Sequence, residues 1–223
     1  MPRRSPDGAV PKRATLYEIA AAQAGYFWLE QAAEAGHSRQ LLQYRLRSGE
    51  IERSLRGVYR LVQFPSSDRE DLVPVWLWTN RQGVFGLETA LAIHGLSDVL
   101  PAHHDVLVPS TWAKRRVKPP PIIQLHIEDV PTADWQWIGP VPVTKPARTL
   151  RDCVKHHVPR DLVAQAIAEA IERRIITRTE ARRMITAGTE LEVETDGMRQ
   201  RKMAAVQAKV VKKHERTFRN LAK

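Results

Sequence analysis

The sequence predicts an α+β protein. A winged helix-turn-helix comes first, then a mixed α/β domain with a small sheet and several helices, then a basic C-terminal helix or tail. Three observations lead there. Between residues 16 and 47 apolar residues recur at helical spacing, and from Ile51 the period shortens to that of a strand. Short alternating stretches bounded by proline recur between residues 105 and 144. Basic residues collect at one end of the N-terminal segment and again after residue 199. The divisions expected are a flexible basic arm (1–13), the winged module (14–64), the second domain (72–187) and the tail (188–223).

Residues 16–24 predict a helix with Thr15 as cap, Leu16, Ile19 and Ala20 inward, and Gly25 as stop. Phe27 and Trp28 lead into a second helix over 29–35, closed by Gly36. Trp28 fits a core aromatic better than a base-stacking ring, and His37 a turn residue better than a ligand. The Gly36-His37-Ser38 connection is short enough to set two helices at a steep angle. Ser38 then caps a third helix that Gly49 ends. Leu42 and Leu46 lie on one side of it, with Gln40, Gln43, Tyr44 and Arg47 on the other. Two short strands follow, 51–53 and 58–61, around a turn near 54–57. Arg39, Arg45 and Arg47 on the helix and Arg53 and Arg56 on the ribbon make a basic reading end, with no acid between Arg39 and Arg47.

Charge placement says more than charge total. The net charge of +10 and pI near 10.1 imply an acidic partner, nucleic acid first among them. Residues 14–64 hold six Arg against five Glu, which looks neutral. Yet Glu18, Glu30 and Glu34 all precede His37, and all six Arg follow it, so the module is bipolar. Cys153 is the single cysteine, which excludes an internal disulfide or a cysteine zinc site and fits a small buried residue. No apolar run reaches the roughly 18 residues of a membrane span, and no signal peptide is evident, so a cytoplasmic protein without membrane contact is expected.

The 64–71 stretch is polar and turn-like, the best boundary between domains. Beyond it, 72–79 predicts a helix with Pro74 in its first turn, and 85–94 a second helix ending in His94. His94 fits packing or capping better than catalysis. Strands are expected at 105–108, 122–127 and 135–138, with 141–144 as a fourth. Between the first two lies 112–118, carrying Lys114, Arg115, Arg116 and Lys118, a loop suited either to phosphates or partner contacts or simply to solvent. Helices are expected over 146–155, 160–171 and 177–184, the last opened by a Thr177–Glu180 capping box. Arg148 and Asp152 are spaced as a surface i,i+4 pair.

Several of these motifs, in order, resemble the AbiEi family of antitoxins. They are Gly25-Tyr-Phe, Ala-Gly-His37-Ser-Arg, Arg-Ser-Gly49-Glu-Ile and Arg56-Gly-Val-Tyr-Arg, then the 86–97 and 143–152 stretches. The resemblance covers roughly 14–187. It implies an autoregulatory partner in an abortive-infection type IV toxin–antitoxin operon, with an AbiEi-like second domain carrying antitoxicity. The toxins of such operons resemble nucleotidyltransferases, which need a Gly-Ser followed by spaced carboxylates. This chain lacks that constellation, placing it on the antitoxin side.

No phosphate loop, dinucleotide glycine motif, nucleophile elbow or HExxH helix occurs, so no enzyme, cofactor, metal site or catalytic residue is expected. His103-His104 and His156-His157 are adjacent, so their side chains diverge. The expected function is sequence-specific repression of the chain's own promoter. The DNA-binding residues are Ser38, Arg39, Gln40, Gln43, Tyr44, Arg47, Arg53 and Arg56. Arg39, Gln40 and Gln43 are candidates for base edges, and Arg47, Arg53 and Arg56 for phosphates. A module this small covers one half-site, so a monomer in solution would place two copies on an inverted repeat in double-stranded DNA. Two other readings stay open: a toxin-binding inhibitor with little specific DNA binding, and a general basic RNA or chromatin binder.

Overall fold

A computed structural model describes residues 13–66 and 68–186. Apart from residue 13, the expected arm lies outside the described residues, as does the tail over 188–223 with its acidic 190–196 stretch. The described chain is α+β, with helices around one three-stranded and one five-stranded sheet.

The first half runs α1 (Arg13–Ala21), β1 (Tyr26–Trp28), α2 (Leu29–Glu34), α3 (Arg39–Arg47), β2 (Ile51–Leu55) and β3 (Val58–Leu61). Two details depart from expectation. Thr15 lies inside α1 and is not its cap, because the helix begins two residues earlier. Tyr26–Trp28 is a strand rather than a lead-in to α2, paired antiparallel with β3 so that the sheet order is β1-β3-β2. Leu16, Ala20, Phe27, Ala32, Leu42 and Ile51 close the core beneath the three helices. Each fully buried Leu or Phe there contributes about 1.5–3 kcal/mol.

The second half adds α4 (Leu72–Trp78), β4 (Val84–Phe85), α5 (Leu87–His94), β5 (His104–Val108), β6 (Ile123–Ile127), β7 (Trp135–Ile138), β8 (Val141–Thr144), α6 (Pro146–Lys155) and α7 (Arg160–Glu172). A further helix occupies 178–186. Its start carries the expected capping box: Thr177 N–H donates to Glu180 Oε2 at 2.7 Å, and Glu180 N–H to Thr177 Oγ1 at 3.2 Å. The five-stranded sheet has order β6-β5-β4-β8-β7 and is mixed, with β4–β8 and β5–β6 parallel. Phe85 belongs to β4, not to the following helix, which starts only at Leu87. A Cβ at Gly86 would come within 2.0 Å of Leu107 Cδ1, so that position accommodates the close passage of the chain over β5.

α4 explains how the two halves are joined. Its sequence LVPVWLW is apolar on every side, and such a helix must be covered on every side. Leu72, Val73, Val75 and Leu77 are buried in one cluster that also takes in Tyr26 and Val58 of the small sheet and Phe85, Val106, Val141 and Val143 of the large one. Arg60 fastens the same junction. Its Nη2 donates to Phe64 O at 3.0 Å and to Glu70 Oε2 at 3.2 Å, and its guanidinium lies over the Tyr26 ring. Arg60 therefore leaves the expected basic pole and serves the fold. On the other side of the large sheet, α5, α6, α7 and the last helix bury Leu91, Leu150, Cys153 and Ile167 together. Cys153 is fully buried, and burial, followed by the nearby Asp152 charge, pushes its thiol pKa well up, which makes it unreactive packing.

Candidate nucleic-acid interface

Helix α3 is capped by Ser38, whose hydroxyl accepts from Leu41 N–H at 3.2 Å. Gly49, at φ +73, ends the helical segment where a side chain would be strained. Leu42 points into the core, while Arg39, Gln40, Gln43, Tyr44 and Arg47 are exposed. Tyr44 is 65% exposed, far more than packing would leave an aromatic ring that size.

Arg45 departs from the expected basic face. It is buried, and its Nη1 donates to His37 Nε2 at 3.4 Å while Nε lies 3.9 Å from Glu50. Helical spacing accounts for this, since residue 45 follows Leu42 by three and so shares its inward side. His37 is buried as well. Burial first, and the Arg45 charge second, hold its pKa below the ordinary value.

The hairpin following α3 is tighter than expected. β2 continues to Leu55, a bulge falls between Arg53 and Leu55, and Leu55 pairs with Val58 across a two-residue Arg56-Gly57 turn. Gly57 sits at φ +85, and a Cβ there would stand 3.0 Å from Trp28 Nε1. Arg53 and Arg56 are both exposed at this end.

The 112–118 stretch is partly built rather than a plain loop. Residues Ser110–Lys114 form a 3-10 turn that buries Trp112, whose Nε1–H donates to Gln82 Oε1 at 2.7 Å. The Arg115 guanidinium stacks 4.4 Å above the Trp112 ring. Lys114, Arg115, Arg116 and Lys118 are all exposed.

These parts meet across a cleft of about 870 Å³. Arg39 and Gln43 of α3, with Arg53 and Arg56 of the hairpin, form one wall, and Arg115, Arg116 and Lys118 form the other. Trp28, Trp78, Trp112 and Asn80 also line it, together with Tyr59 and several apolar residues, and the lining contains no carboxylate. Gln40, Tyr44, Arg47 and Lys114 are exposed but lie outside that lining. Sequence reasoning did not single out Trp78 or Asn80. Trp78 sits in an all-apolar helix and so reads as core, while Asn80 carries no spacing signal at all.

A second charged cluster lies between α6 and the segment that follows β6. Arg148 and Asp152 are not a surface pair: Asp152 is 3% exposed, and Arg148 Nε donates to both its oxygens at 2.7 and 2.9 Å. Arg148 Nη1 also donates to Asp134 at 2.9 Å, and Nη2 to Glu128. Glu128 further accepts from Lys155 at 2.7 Å and lies 3.3 Å from His156 Nε2. Burial works against the Glu128 charge, but the Lys155 and His156 hydrogen bonds and the neighbouring cations outweigh it and hold the carboxyl below its ordinary pKa. For Asp152 burial wins over Arg148 and raises the pKa. Every group here is engaged within the fold. His94 likewise has a structural role, its Nε2–H donating to Thr144 O at 2.7 Å, with burial first holding its pKa down. Among the described residues no group of three or more His, Cys, Asp or Glu is arranged to hold a metal, and no helix is long and apolar enough to cross a membrane.

Comparison with known proteins bears on the first half. Residues 15–62 match the model of a family described as transcriptional regulator, AbiEi antitoxin, which is the family the sequence resembles. The match spans α1 through β3, the module that carries α3 and the hairpin after it. No curated protein matches the chain. Among solved structures, the crystal structure of the RV2827C protein from Mycobacterium tuberculosis is similar over 84% of this chain and 82% of that one, at 16% identity and a TM-score of 0.41.

Proposed function

We propose that the chain is an antitoxin that represses its own promoter by reading duplex DNA through an N-terminal winged helix-turn-helix. The observation that carries this reading is the concentration of exposed Arg39, Arg47, Arg53 and Arg56 with Gln40 and Gln43 on one helix and one hairpin, in a module matched to regulators. Among the described residues none of these four arginines is held in an ion pair, so all four are available to phosphates or guanine edges. Helix α3 lies in the major groove, with Arg39, Gln40 and Gln43 against base edges and Tyr44 at the groove wall. Ser38 presents the helix N-terminus, which favours an adjacent phosphate. Arg47, Arg53 and Arg56 hold phosphates as the hairpin reaches towards the minor groove, and Lys114, Arg115, Arg116 and Lys118 extend the grip from the second domain.

In this reading, 14–64 is the DNA-binding domain and 72–187 the domain that counteracts a nucleotidyltransferase-like toxin, within the cytoplasm and without enzymatic activity of its own. A monomer occupies each half of an inverted repeat, because one α3 spans only a short half-site.

The test is the double variant Arg39→Ala with Gln43→Ala. Promoter selectivity drops by about 1–3 kcal/mol for each base edge no longer read, while toxin neutralisation in cells is kept. A wild-type protein that neutralises the toxin yet shows no preference for its promoter over random duplex would favour the inhibitor reading and overturn the repressor.

A further inference from the structure

We propose that the cleft between the N-terminal module and the 112–118 turn binds an unpaired DNA strand a few nucleotides long. Its bases lie against Trp28 and Trp78, and its phosphates on the arginines of the two walls. This goes beyond duplex reading and does not rest on it.

Three observations converge. Arg39, Arg53 and Arg56 face Arg115, Arg116 and Lys118 across one cleft without a carboxylate in its lining. Like charges gathered this way repel one another until an anion enters, and a backbone with a charge on every nucleotide supplies several at once. Trp28 and Trp78 are half-buried in the lining, and among the described residues neither indole N–H has a hydrogen-bond partner, whereas that of Trp112 is committed to Gln82. The Asn80 and Gln43 amides are likewise uncommitted and lie beside them. Aromatic faces interleaved with guanidinium groups make a stacking platform for single strands, because every base has a π-face and no particular pairing edge is required.

Exposed base faces separate single from double strand, because a duplex keeps its bases stacked on one another and offers none to the indole rings. One strand with its bases unstacked offers those faces and its phosphates together. An acidic peptide would satisfy the cations but would leave the indole rings and the two amides unused.

The experiment uses the full chain with a fluorescein-labelled ten-nucleotide oligothymidylate, read by anisotropy and by quenching of tryptophan fluorescence. The expected result is saturable binding with quenching, weakening with salt at a log–log slope of roughly −0.7 per phosphate engaged. Asn80→Asp replaces the amide with a carboxylate of the same shape at a φ of +54 that Asp also tolerates. It should weaken oligothymidylate binding by about tenfold. Trp78→Leu keeps apolar bulk in the junction and should weaken binding about fivefold or more by removing one stacking face. Absence of saturable binding, or binding without quenching that Asn80→Asp leaves unchanged, would overturn the proposal. So would displacement of the oligonucleotide by polyglutamate at equal charge, or tighter binding of oligouridylate than of oligothymidylate. Loss of promoter preference with oligothymidylate binding intact would sink the repressor reading and leave this one standing.

Discussion

Arginine does opposite work in two places in this molecule. Around the cleft, Arg39, Arg53, Arg56 and Arg116 are exposed and have no acid in reach among the described residues. On α6, beside the large sheet, Arg148 is nearly buried and holds Asp152, Asp134 and Glu128 at once. The first group raises a positive potential that only an outside partner relieves. The second, with Lys155 and Arg151 beside it, balances three carboxylates that the fold has drawn together, and projects little beyond itself. The difference lies in the neighbours, so a count of basic residues cannot locate a binding surface until each one's partner is known. Arg45 and Arg60 show the same within the N-terminal module: they belong to the same run of six arginines, yet both are taken up by internal bonds.

That contrast breaks if removing Arg148 is harmless. Arg148→Ala leaves buried Asp152 without its cation, which should cost about 3–5 kcal/mol of stability in urea unfolding, while the folded fraction keeps its DNA affinity. The cleft arginines should behave in the reverse way. Changing Arg53 and Arg56 to Ala should leave the unfolding midpoint nearly unmoved and lower the salt dependence of duplex binding by about one phosphate each. A smaller effect sharpens the role of helix geometry: Ser38→Ala removes the cap of α3 and should cost about 1 kcal/mol in the same unfolding measurement.

The smallest effect is on pH. His37 and His94 have folded-state pKa values below their ordinary value, chiefly because they are buried. The unfolded chain therefore binds more protons, so stability rises with pH towards the ordinary histidine pKa and falls as pH drops below it. Thermal melts between roughly pH 5 and 7 should show this decline, with a shallower slope in His37→Gln.

Much of this was legible in the sequence where the signal is local. The Ser38 cap, the Gly49 stop and the Thr177–Glu180 box are short-range chemistry, and each is where spacing put it. β1 and β4 were not legible, because stretches of three and two residues take strand form only from their partners, β3 for the one and β5 and β8 for the other. The Arg148 network escaped for a related reason. Its i,i+4 partner showed in the sequence, but Asp134 and Glu128 lie 14 and 20 residues away and are brought in by the sheet. Arg45 could have been found: its spacing from Leu42 marked it as inward, but its charge drew it into the basic face. The cleft itself was the least legible, because its two walls are about sixty residues apart in the chain and meet only because both halves close around α4.

The most direct test of the central claim is the affinity of the wild-type chain for its own promoter against random duplex of equal length, at about 150 mM salt. The account predicts a preference of about a thousandfold or more, as expected of a specific reader. Equal affinity for the two duplexes would contradict it, and would reduce the exposed arginines to a general attraction for nucleic acid.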